Sequence, residues 1–425
     1  MTIEQLYELY KAHPQVQTDT RKLQPGQLFF CLKGDRFNGN AFAKQALEQG
    51  AAAVVVDEET GLTDERVIRT DDVLRTLQTL ALHHRRQFNI PFLAITGSNG
   101  KTTTKELVHA VLSSTYTTYT TEGNLNNHIG VPLTLLNVRP DARMAVVEMG
   151  ANHQREIAGY CTYTLPTHAL INNVGKAHLE GFGGIEGVKK GKGELYDFIR
   201  DAGGMIFINN DFDYLQEMSR GIDRRFSYGT RNADVTGELM HSEPFLVVRI
   251  TSHPELGTLH TRLVGDYNLP NVLAAVAVGL YFGVAAANIH KAIEAYTPSN
   301  SRSQLVQLGS NQVILDAYNA NPTSMRAAIE NLVKLPAGKK VVILGSMAEL
   351  GEESRAEHAG IIALLQQHDW TAVALVGEGF REAGHPYLQF DTAAEARDWF
   401  SKQAFEQAHI LVKGSRSMQM EQVLQ

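Results

Sequence analysis

The segment from Gly97 to Thr103 (G-S-N-G-K-T-T) has the residue types and spacing of a phosphate-binding loop. Its two glycines permit a tight turn, and backbone N–H groups at the start of a following helix attract anions. Lys101 can reach the terminal phosphates of a nucleotide, and the Thr102 hydroxyl is placed to ligate Mg2+. The predicted nucleotide-binding residues are Gly97, Ser98, Asn99, Gly100, Lys101, Thr102 and Thr103.

A strand and a helix must position this loop. Residues 91–95 form an apolar run of strand length, and residues 105–112 have the apolar spacing of a helix. The usual phosphate loop has four residues between its glycines, whereas Gly97 and Gly100 enclose two. An ordinary turn before a helix is the alternative, but such a turn does not require Lys followed by Thr. Nucleotide binding is therefore favoured.

Two further strand ends carry residues that could bind a metal ion. Glu148 ends the apolar run 144–148, and a carboxylate at the carboxyl edge of a parallel sheet beside a phosphate loop is a natural Mg2+ ligand. His178 follows the apolar run 168–172, so we expect it at the same edge with a metal or substrate role. The alternatives are a surface carboxylate for Glu148 and a packed or solvated side chain for His178.

An asparagine-rich segment, residues 121–132, lies between these elements. It contains Asn124, Asn126 and Asn127 together with two glycines. An asparagine side chain both donates and accepts hydrogen bonds, so clustered amides suit phosphate, sugar or peptide groups. We predict that these three residues contact substrate, with a purely structural turn as the alternative.

Composition limits the class of protein. The chain has 425 residues, with 39 Lys plus Arg and 46 Asp plus Glu, so its net charge is −7. No overall positive field therefore favours nucleic acid or an anionic membrane. Cys31 and Cys161 lack a paired motif and are predicted to be core thiols in a reducing cytoplasm. The sequence predicts neither a secretory signal nor membrane insertion.

Alternation of strand and helix patterns predicts an α/β chain of three domains. The predicted domains are residues 1–88, residues 89–300 with a mostly parallel sheet, and residues 301–425. The first break precedes a proline, and the second lies in a polar, proline-containing stretch. Residues 224–264 are rich in turns and predict a small antiparallel insertion.

Several further segments carry a family resemblance. They are Lys192-x-Glu194, residues 265–271 (G-D-Y-N-L-P-N), residues 316–322 (D-A-Y-N-A-N-P) and residues 411–416 (L-V-K-G-S-R). Over essentially its whole length the chain resembles the Mur ligase family, whose members are ATP-dependent enzymes that form amide bonds. The resemblance implies a small α/β N-terminal domain, a central P-loop ATPase domain with a parallel sheet, and a Rossmann-like C-terminal domain.

The resemblance implies a catalytic centre with two Mg2+ ions. Thr102 and Glu148 would hold the first ion. His178 and Lys192 would hold the second, with Lys192 carbamylated. The implied catalytic residues are therefore Lys101, His178 and Lys192.

The resemblance also implies binding residues for ATP and substrate. Asn271, with Asn268 close by, would contact adenine. Arg302 would contact phosphate, and Asp316 would contact ribose. The other implied substrate contacts are Tyr318 and Asn319 in the closed cleft and, from the segments 18–21 and 33–40 that would hold the uridine diphosphate and sugar peptide, Thr20, Arg21 and Asn38.

One branch of the family fits best, because residues 318–322 read Y-N-A-N-P and residues 344–351 read L-G-S-M-A-E-L-G. That branch joins D-alanyl-D-alanine to a UDP-N-acetylmuramoyl-tripeptide through an acyl phosphate, which completes a cytoplasmic peptidoglycan precursor. The resemblance thus implies small-molecule substrates, and we expect a monomer with no nucleic-acid partner. The alternatives are folylpolyglutamate synthase, another Mur ligase, or a regulatory or transport ATPase.

The chain departs from the family pattern at a few positions. Tyr267 stands where histidine is common, and Ala317 replaces a frequent second aspartate. Asn38 and Asn40 replace a usual Asp-Gly-His pattern. These departures concern the ribose and first-domain contacts and leave the phosphate loop and both implied metal positions intact.

Overall fold

The computed structural model describes residues 1–34, 37–298, 302–336 and 338–425. The first region contains the strands β1 (Val16–Gln17), β2 (Leu28–Phe30), β3 (Lys33–Gly34), β4 (Phe37–Asn38), β5 (Ala53–Val56) and β6 (Val67–Arg69) and the helices α1 (Ile3–Ala12), α2 (Ala43–Glu48) and α3 (Val73–Arg85). Four strands form a parallel sheet in the order β1-β2-β5-β6, and β3 pairs antiparallel with β4. Asp35 and Arg36 of the matched segment 33–40, and the predicted boundary at residue 300, lie outside the described residues.

Helix α3 joins the first region to the next one. Asp72 begins it, because its side chain accepts a hydrogen bond from the backbone N–H of Arg75. Leu77 and Leu80 lie on its buried face, which packs against α1 and against central helices. Near the end of α3, Arg85 donates through Nε to the Thr164 carbonyl 2.8 Å away. The first region is thus anchored by apolar packing and by hydrogen bonds.

The central region holds the largest sheet. Its strands are β7 (Phe92–Thr96), β8 (Thr118–Thr120), β9 (Met144–Glu148), β10 (His168–Ile171), β11 (Met205–Asn209), β12 (Arg225–Gly229), β13 (Val235–His241), β14 (Val247–Ile250) and β15 (Thr258–His260). Its helices are α4 (Lys101–Ser113), α5 (Gly130–Leu136), α6 (Glu156–Thr164), α7 (Leu179–Phe182), α8 (Ile185–Ala202), α9 (Asp213–Met218), α10 (Leu269–Tyr281) and α11 (Ala286–Ala295).

The strand order of this sheet is β15-β14-β13-β12-β11-β10-β7-β9-β8. All neighbours from β8 to β13 run parallel, and β7, β9 and β11 are buried along their whole length because helices cover both faces. The predicted antiparallel insertion is confirmed only for β13 to β15. Strand β12 instead continues the parallel sheet, so the antiparallel strands extend that sheet and do not form a separate unit.

The third region is a second doubly covered sheet. Its strands are β16 (Gln304–Leu308), β17 (Asn311–Asp316), β18 (Lys339–Gly345), β19 (Ala372–Val376), β20 (Leu388–Phe390) and β21 (Ala408–Lys413), and its helices are α12 (Pro322–Lys334), α13 (Ser354–Leu365), α14 (Glu378–Ala383) and α15 (Ala393–Phe400). The order is β16-β17-β21-β18-β19-β20, and β16 alone pairs antiparallel within this described sheet. The predicted three-part α/β architecture with a central parallel sheet is confirmed.

Buried side chains from all three regions belong to one apolar cluster, which includes Leu77, Ile171 and Leu344. Both cysteines are buried and unpaired, as predicted for core thiols. Within the described ranges, no helix combines the length and apolarity needed to cross a bilayer.

Candidate active site

A cavity of about 840 Å3 lies where the central and third regions meet. The carboxyl ends of β7, β9 and β10 open into it, as is typical of ligand sites in parallel sheets. The residues predicted from sequence that line it are Ser98, Asn99, Gly100, Lys101, Thr102, Thr103, Asn124, Asn126, Asn127, Glu148, His178, Asn268, Asn271, Arg302, Asp316, Tyr318 and Asn319. Gly97, Lys192, Thr20, Arg21 and Asn38 are not among the lining residues.

The two loop glycines are required by backbone geometry. Gly100 precedes α4 with φ of 79°, in the left-handed region that favours glycine. A Cβ atom there would lie 2.6 Å from Oδ1 of Asn271, which is too close for any real contact. Gly97 has φ of 145°, and a Cβ atom there would lie 2.9 Å from Cβ of Asn172. Both glycines thus let the loop pack tightly onto its neighbours.

Hydrogen bonds hold the phosphate loop to the segment after β10. Ser98 donates its backbone N–H to the Asn173 carbonyl at 3.0 Å and its hydroxyl to the Gly175 carbonyl at 3.0 Å. Asn99 donates its N–H to the side-chain oxygen of Asn173 at 2.9 Å. Asn173 was missed in the sequence analysis, although a polar residue directly after a buried parallel strand was an available signal.

Lys101 folds back over this loop. Its Nζ donates to the Gly97 carbonyl at 2.8 Å, and the side chain borders the cavity. Burial lowers the pKa of Lys101 below its ordinary value, the charge of Arg302 adds to that effect, and Glu148 opposes it. A phosphate group in the cavity would offer this amine a negatively charged partner that the loop carbonyls do not provide.

Thr102 and Glu148 form an oxygen-rich position suited to Mg2+. The Thr102 hydroxyl donates to Oε1 of Glu148 at 3.1 Å, and Nδ2 of Asn126 donates to the same oxygen at 2.8 Å. Glu148 is 1% exposed, yet its Oε2 has no hydrogen-bond partner within the described ranges. Because an unpaired buried carboxylate oxygen is costly, this atom fits a hard cation that prefers oxygen ligands.

The asparagine-rich segment both shapes and borders the cavity. Asn127 accepts hydrogen bonds through Oδ1 from the backbone N–H groups of Ile129, at 3.1 Å, and Gly130, at 2.9 Å. Asn127 therefore also supports the start of α5. A purely structural role, the alternative given for this segment above, explains two of its asparagines in part. The Asn126 side chain donates to Glu148, and the Asn127 side chain accepts from backbone N–H groups.

His178 and Lys192 occupy different surroundings. Nδ1 of His178 lies 2.5 Å from Oε2 of Glu349, in the third region, and His178 borders the cavity. Lys192 is fully buried behind the cavity wall, where its Nζ donates to the Ala151 carbonyl at 3.0 Å. Burial lowers the pKa of Lys192 well below its ordinary value. Glu194, from the same helix, accepts hydrogen bonds from backbone N–H groups at the start of α6.

Buried asparagine side chains lie against the phosphate loop near Gly100. Oδ1 of Asn271 accepts from the Thr104 hydroxyl at 3.1 Å and from Nδ2 of Asn172 at 3.1 Å. Nδ2 of Asn271 donates to Oδ1 of Asn268 at 2.8 Å, and Asn268 donates to the Val264 carbonyl at 2.9 Å. The network ties α10 to the phosphate loop and leaves both amides at the cavity wall.

The third region contributes charged and aromatic groups. The Arg302 guanidinium stacks on the Tyr318 ring, with 3.5 Å from Cζ to the ring centroid. Nζ of Lys413, which is 1% exposed, lies 2.5 Å from Oδ2 of Asp316 and donates to the Asn319 carbonyl at 3.1 Å. Tyr267 donates to or accepts from the Ser303 hydroxyl at 2.8 Å.

The predicted residues of the first region lie apart from the cavity. Arg21 makes a two-bond pair with Asp19, through Nε at 2.9 Å and Nη2 at 2.7 Å, and is largely exposed. Asn38 is exposed and donates to Oε2 of Glu58 at 2.7 Å. Thr20 makes no side-chain hydrogen bond within the described part of the chain. None of the three lines the cavity.

Two contacts between the central and third regions were missed in the sequence analysis. Nδ2 of Asn321 donates to Oδ1 of Asn99 at 2.8 Å, and the His178 ring meets Glu349. Both third-region residues lie inside the sequence segments 316–322 and 344–351. The signal was therefore present, but strand and helix patterns do not tell which distant loop a residue meets.

Comparisons with known proteins agree with this architecture. Three family models match: the Mur ligase family catalytic domain over residues 14–87, the Mur ligase middle domain over residues 95–279, and the Mur ligase glutamate ligase domain over residues 301–416. The chain is 39% identical over 435 residues to the UDP-N-acetylmuramoyl-tripeptide–D-alanyl-D-alanine ligase of Escherichia coli strain K12, covering 96% of this chain and 92% of that protein.

Solved structures are similar over the same extent. MurF from Acinetobacter baumannii superposes with a TM-score of 0.88 at 32% identity and covers 100% of this chain and 97% of that one. MurF ligase from Thermotoga maritima in complex with ADP gives a TM-score of 0.84 at 25% identity and covers 97% of this chain and 96% of that one. The chain therefore belongs to the Mur ligase family.

Proposed function

We propose that this chain joins D-alanyl-D-alanine to UDP-N-acetylmuramoyl-tripeptide and converts ATP to ADP and phosphate in the same reaction. The product is the UDP-N-acetylmuramoyl-pentapeptide precursor of peptidoglycan. The observation that carries this proposal is the phosphate-loop cavity, which the third region borders with Asn321, Tyr318 and Arg302. Full-length similarity to ligases of this specificity supports the substrate assignment.

The first chemical step is attack of the tripeptide's terminal carboxylate on the γ-phosphate of ATP, which forms an acyl phosphate and releases ADP. The amine of D-alanyl-D-alanine then attacks the acyl carbon, and phosphate leaves with one oxygen of the original carboxylate. Carboxylate and triphosphate repel each other, so the site must screen negative charge. We assign that role to Lys101, whose amine moves from the Gly97 carbonyl to the phosphates.

Mg2+ ions would neutralise the triphosphate and stabilise charge on the transferred group. Thr102 and Glu148 would hold one ion, because their oxygens converge and one Glu148 oxygen lacks another described partner. His178 and a carbamylated Lys192 would hold a second. In support, burial lowers the pKa of Lys192 and favours the neutral amine, which is the form that reacts with carbon dioxide.

The carbamate proposal has a direct test. Lys192→Ala removes the amine, and a short carboxylic acid added to the buffer would supply the missing carboxylate oxygen. We expect partial recovery of ligation in Lys192→Ala and none in Lys101→Ala. Equal failure in both variants would contradict the carbamate.

The remaining site residues divide between the two large substrates. For ATP, we assign adenine to Asn271 and Asn268, phosphate to Arg302 and ribose to Asp316. For the peptide end of UDP-N-acetylmuramoyl-tripeptide and for D-alanyl-D-alanine, we assign the cavity residues Asn124, Asn126, Asn127, Tyr318 and Asn319. The first-region surface carrying Thr20, Arg21 and Asn38 would bind the uridine diphosphate and sugar.

An acyl phosphate hydrolyses when water reaches it, so the site should be complete only when the third region covers the second. We propose functional domains of residues 1–88, 89–300 and 301–425, each carrying one part of the reaction. We further propose that the chain acts as a monomer in the cytoplasm, with small-molecule partners only.

A substrate panel separates this function from the alternatives. Phosphate release should require both UDP-N-acetylmuramoyl-tripeptide and D-alanyl-D-alanine. Stimulation by a folate and glutamate would indicate folylpolyglutamate synthase, and release without any acceptor would indicate a simple ATPase. With oxygen-18 in the tripeptide carboxylate, one labelled oxygen should appear in the released phosphate. Its absence would exclude the acyl phosphate.

A further inference from the structure

A histidine and a glutamate from different regions meet at the edge of the cavity. His178 precedes α7 with φ of 54°, and Glu349 follows β18 in a loop with φ of 60°. A positive φ is uncommon for either residue type, so the surrounding structure holds both backbones in place. Nδ1 of His178 lies 2.5 Å from Oε2 of Glu349, a close ion-pair contact that lacks the alignment of a regular hydrogen bond, and the histidine lowers the pKa of that carboxyl.

The loop carrying Glu349 is fixed from both sides. On the side of its own region, the Met347 backbone N–H donates to Nε2 of His358, which is fully buried, at 3.0 Å. On the side of the central region, the Glu180 backbone N–H donates to the Glu349 carbonyl at 3.2 Å. These two hydrogen bonds therefore hold the loop so that the Glu349 carboxylate lies next to His178.

The contact at Nδ1 sets the chemistry of the other ring nitrogen. A carboxylate next to Nδ1 favours the tautomer that carries its proton there, which leaves Nε2 with a free lone pair. Nε2 of His178 makes no hydrogen bond to any residue in the described ranges, and the side chain borders the cavity. The ring can thus present Nε2 as an acceptor or ligand to whatever occupies the cavity.

We propose that Glu349 is a positioning residue that fixes the tautomer and orientation of the His178 ring, so that the catalytic centre is completed only when the third region docks. This inference rests on the proposed ligase function for its kinetic part. Glu349 itself does not line the cavity, so it acts through His178 and does not touch substrate.

The interface offers a matched control. Glu357 pairs with Lys176, two positions before His178, across the same boundary between the regions. Glu357→Gln therefore removes a partly exposed ion pair between the regions, which contributes little to docking, and keeps the carboxylate beside Nδ1 of His178. Glu349→Ala removes the partner of Nδ1, and Glu349→Gln keeps an oxygen that can accept from Nδ1–H.

The kinetic test compares these variants in ligation assays. We expect kcat to fall by about 10- to 100-fold in Glu349→Ala, the range typical for loss of a carboxylate behind a functional histidine. Glu349→Gln should recover most of that loss, and Glu357→Gln should keep the wild-type kcat. A Glu357→Gln defect equal to that of Glu349→Ala would overturn the proposal, because docking alone would then explain both.

The second readout does not depend on activity. Long-range 1H–15N NMR of histidine rings, with His178 assigned through His178→Gln, reports which nitrogen carries the proton. We expect protonation at Nδ1 in the wild type and in Glu357→Gln, and loss of that fixed tautomer in Glu349→Ala. An unchanged His178 signal in Glu349→Ala would refute the positioning role. Absence of ligation in the wild type would refute the proposed function instead.

Discussion

Asn321 and Asn99 are 222 positions apart in the chain, yet Nδ2 of Asn321 donates a hydrogen bond to Oδ1 of Asn99 across 2.8 Å. Asn99 belongs to the phosphate loop. Asn321 begins α12, where its side-chain oxygen accepts from the Ser324 backbone N–H at 2.9 Å. One side chain thus starts a helix of the third region and contacts the phosphate loop of the central region.

Substitutions at Asn321 can separate these two roles. Asn321→Ser keeps a side-chain oxygen for the helix start and loses the donor to Asn99, whereas Asn321→Ala loses both. We expect KM for ATP to rise about 5-fold in each, as for loss of a hydrogen bond worth about 1 kcal/mol. Only Asn321→Ala should lose a further ~1 kcal/mol of unfolding free energy. Wild-type KM in Asn321→Ser would contradict a role for this contact in nucleotide binding.

Glu148→Gln should reduce activity without reducing stability. The substitution keeps an oxygen for Thr102 and removes a buried charge whose second oxygen has no described partner. We expect kcat to fall by at least about 100-fold, since a Mg2+ ligand is lost, with a melting temperature equal to or above that of the wild type. Thermal denaturation and ligation assays on the same sample check both. A less stable variant with full activity would show that Glu148 is structural.

Lys101→Ala tests the screening of triphosphate charge. Among the residues that the structure describes, its amine binds only the loop carbonyls of Gly97 and Ser98, so its removal should leave folding almost unchanged. We expect kcat to fall by about 1000-fold, comparable to loss of one strong electrostatic contact to a transition state. Lys190→Ala, which changes an exposed lysine of α8, should behave as the wild type. Near wild-type ligation by Lys101→Ala would refute the assigned role.

The strand, turn and helix around residues 97–103 were predicted correctly because their sequence signals are local, whereas the phosphate-binding role of the loop stays a prediction. Gly97, Gly100 and Lys101 lie within five consecutive positions, and the apolar runs around them define the strand and helix locally. The contacts of Asn321 with Asn99 and of Glu349 with His178 could not be predicted in this way. They depend on how the central sheet and the sheet of the third region pack against each other, and no periodic pattern in the sequence encodes that geometry. Lys192 was predicted from the family resemblance, and its burial behind Ala151 became visible only in the structure.

Lys192→Met should raise stability and change its pH dependence. Burial lowers the pKa of Lys192, so between that lowered pKa and the ordinary value of 10.5 the unfolded chain binds a proton that the folded chain does not. The free energy of unfolding contributed by Lys192 therefore rises with pH through this window. In buffer free of carbon dioxide, we expect Lys192→Met to melt above the wild type at neutral pH, with the difference shrinking toward pH 10.5.

The control for this prediction lies on the same helix. Lys190→Met replaces an exposed lysine of α8 and should leave both the melting temperature and its pH dependence unchanged. A constant difference between Lys192→Met and the wild type at every pH would contradict a neutral buried amine.

The central claim is that conversion of ATP to ADP and phosphate is coupled to amide formation between two specific substrates. The most direct measurement is phosphate release from ATP with UDP-N-acetylmuramoyl-tripeptide, with and without D-alanyl-D-alanine, followed by mass analysis of the product. We predict release that needs both substrates and yields one UDP-N-acetylmuramoyl-pentapeptide per phosphate. Release that is indifferent to the dipeptide, with no pentapeptide formed, would contradict the account.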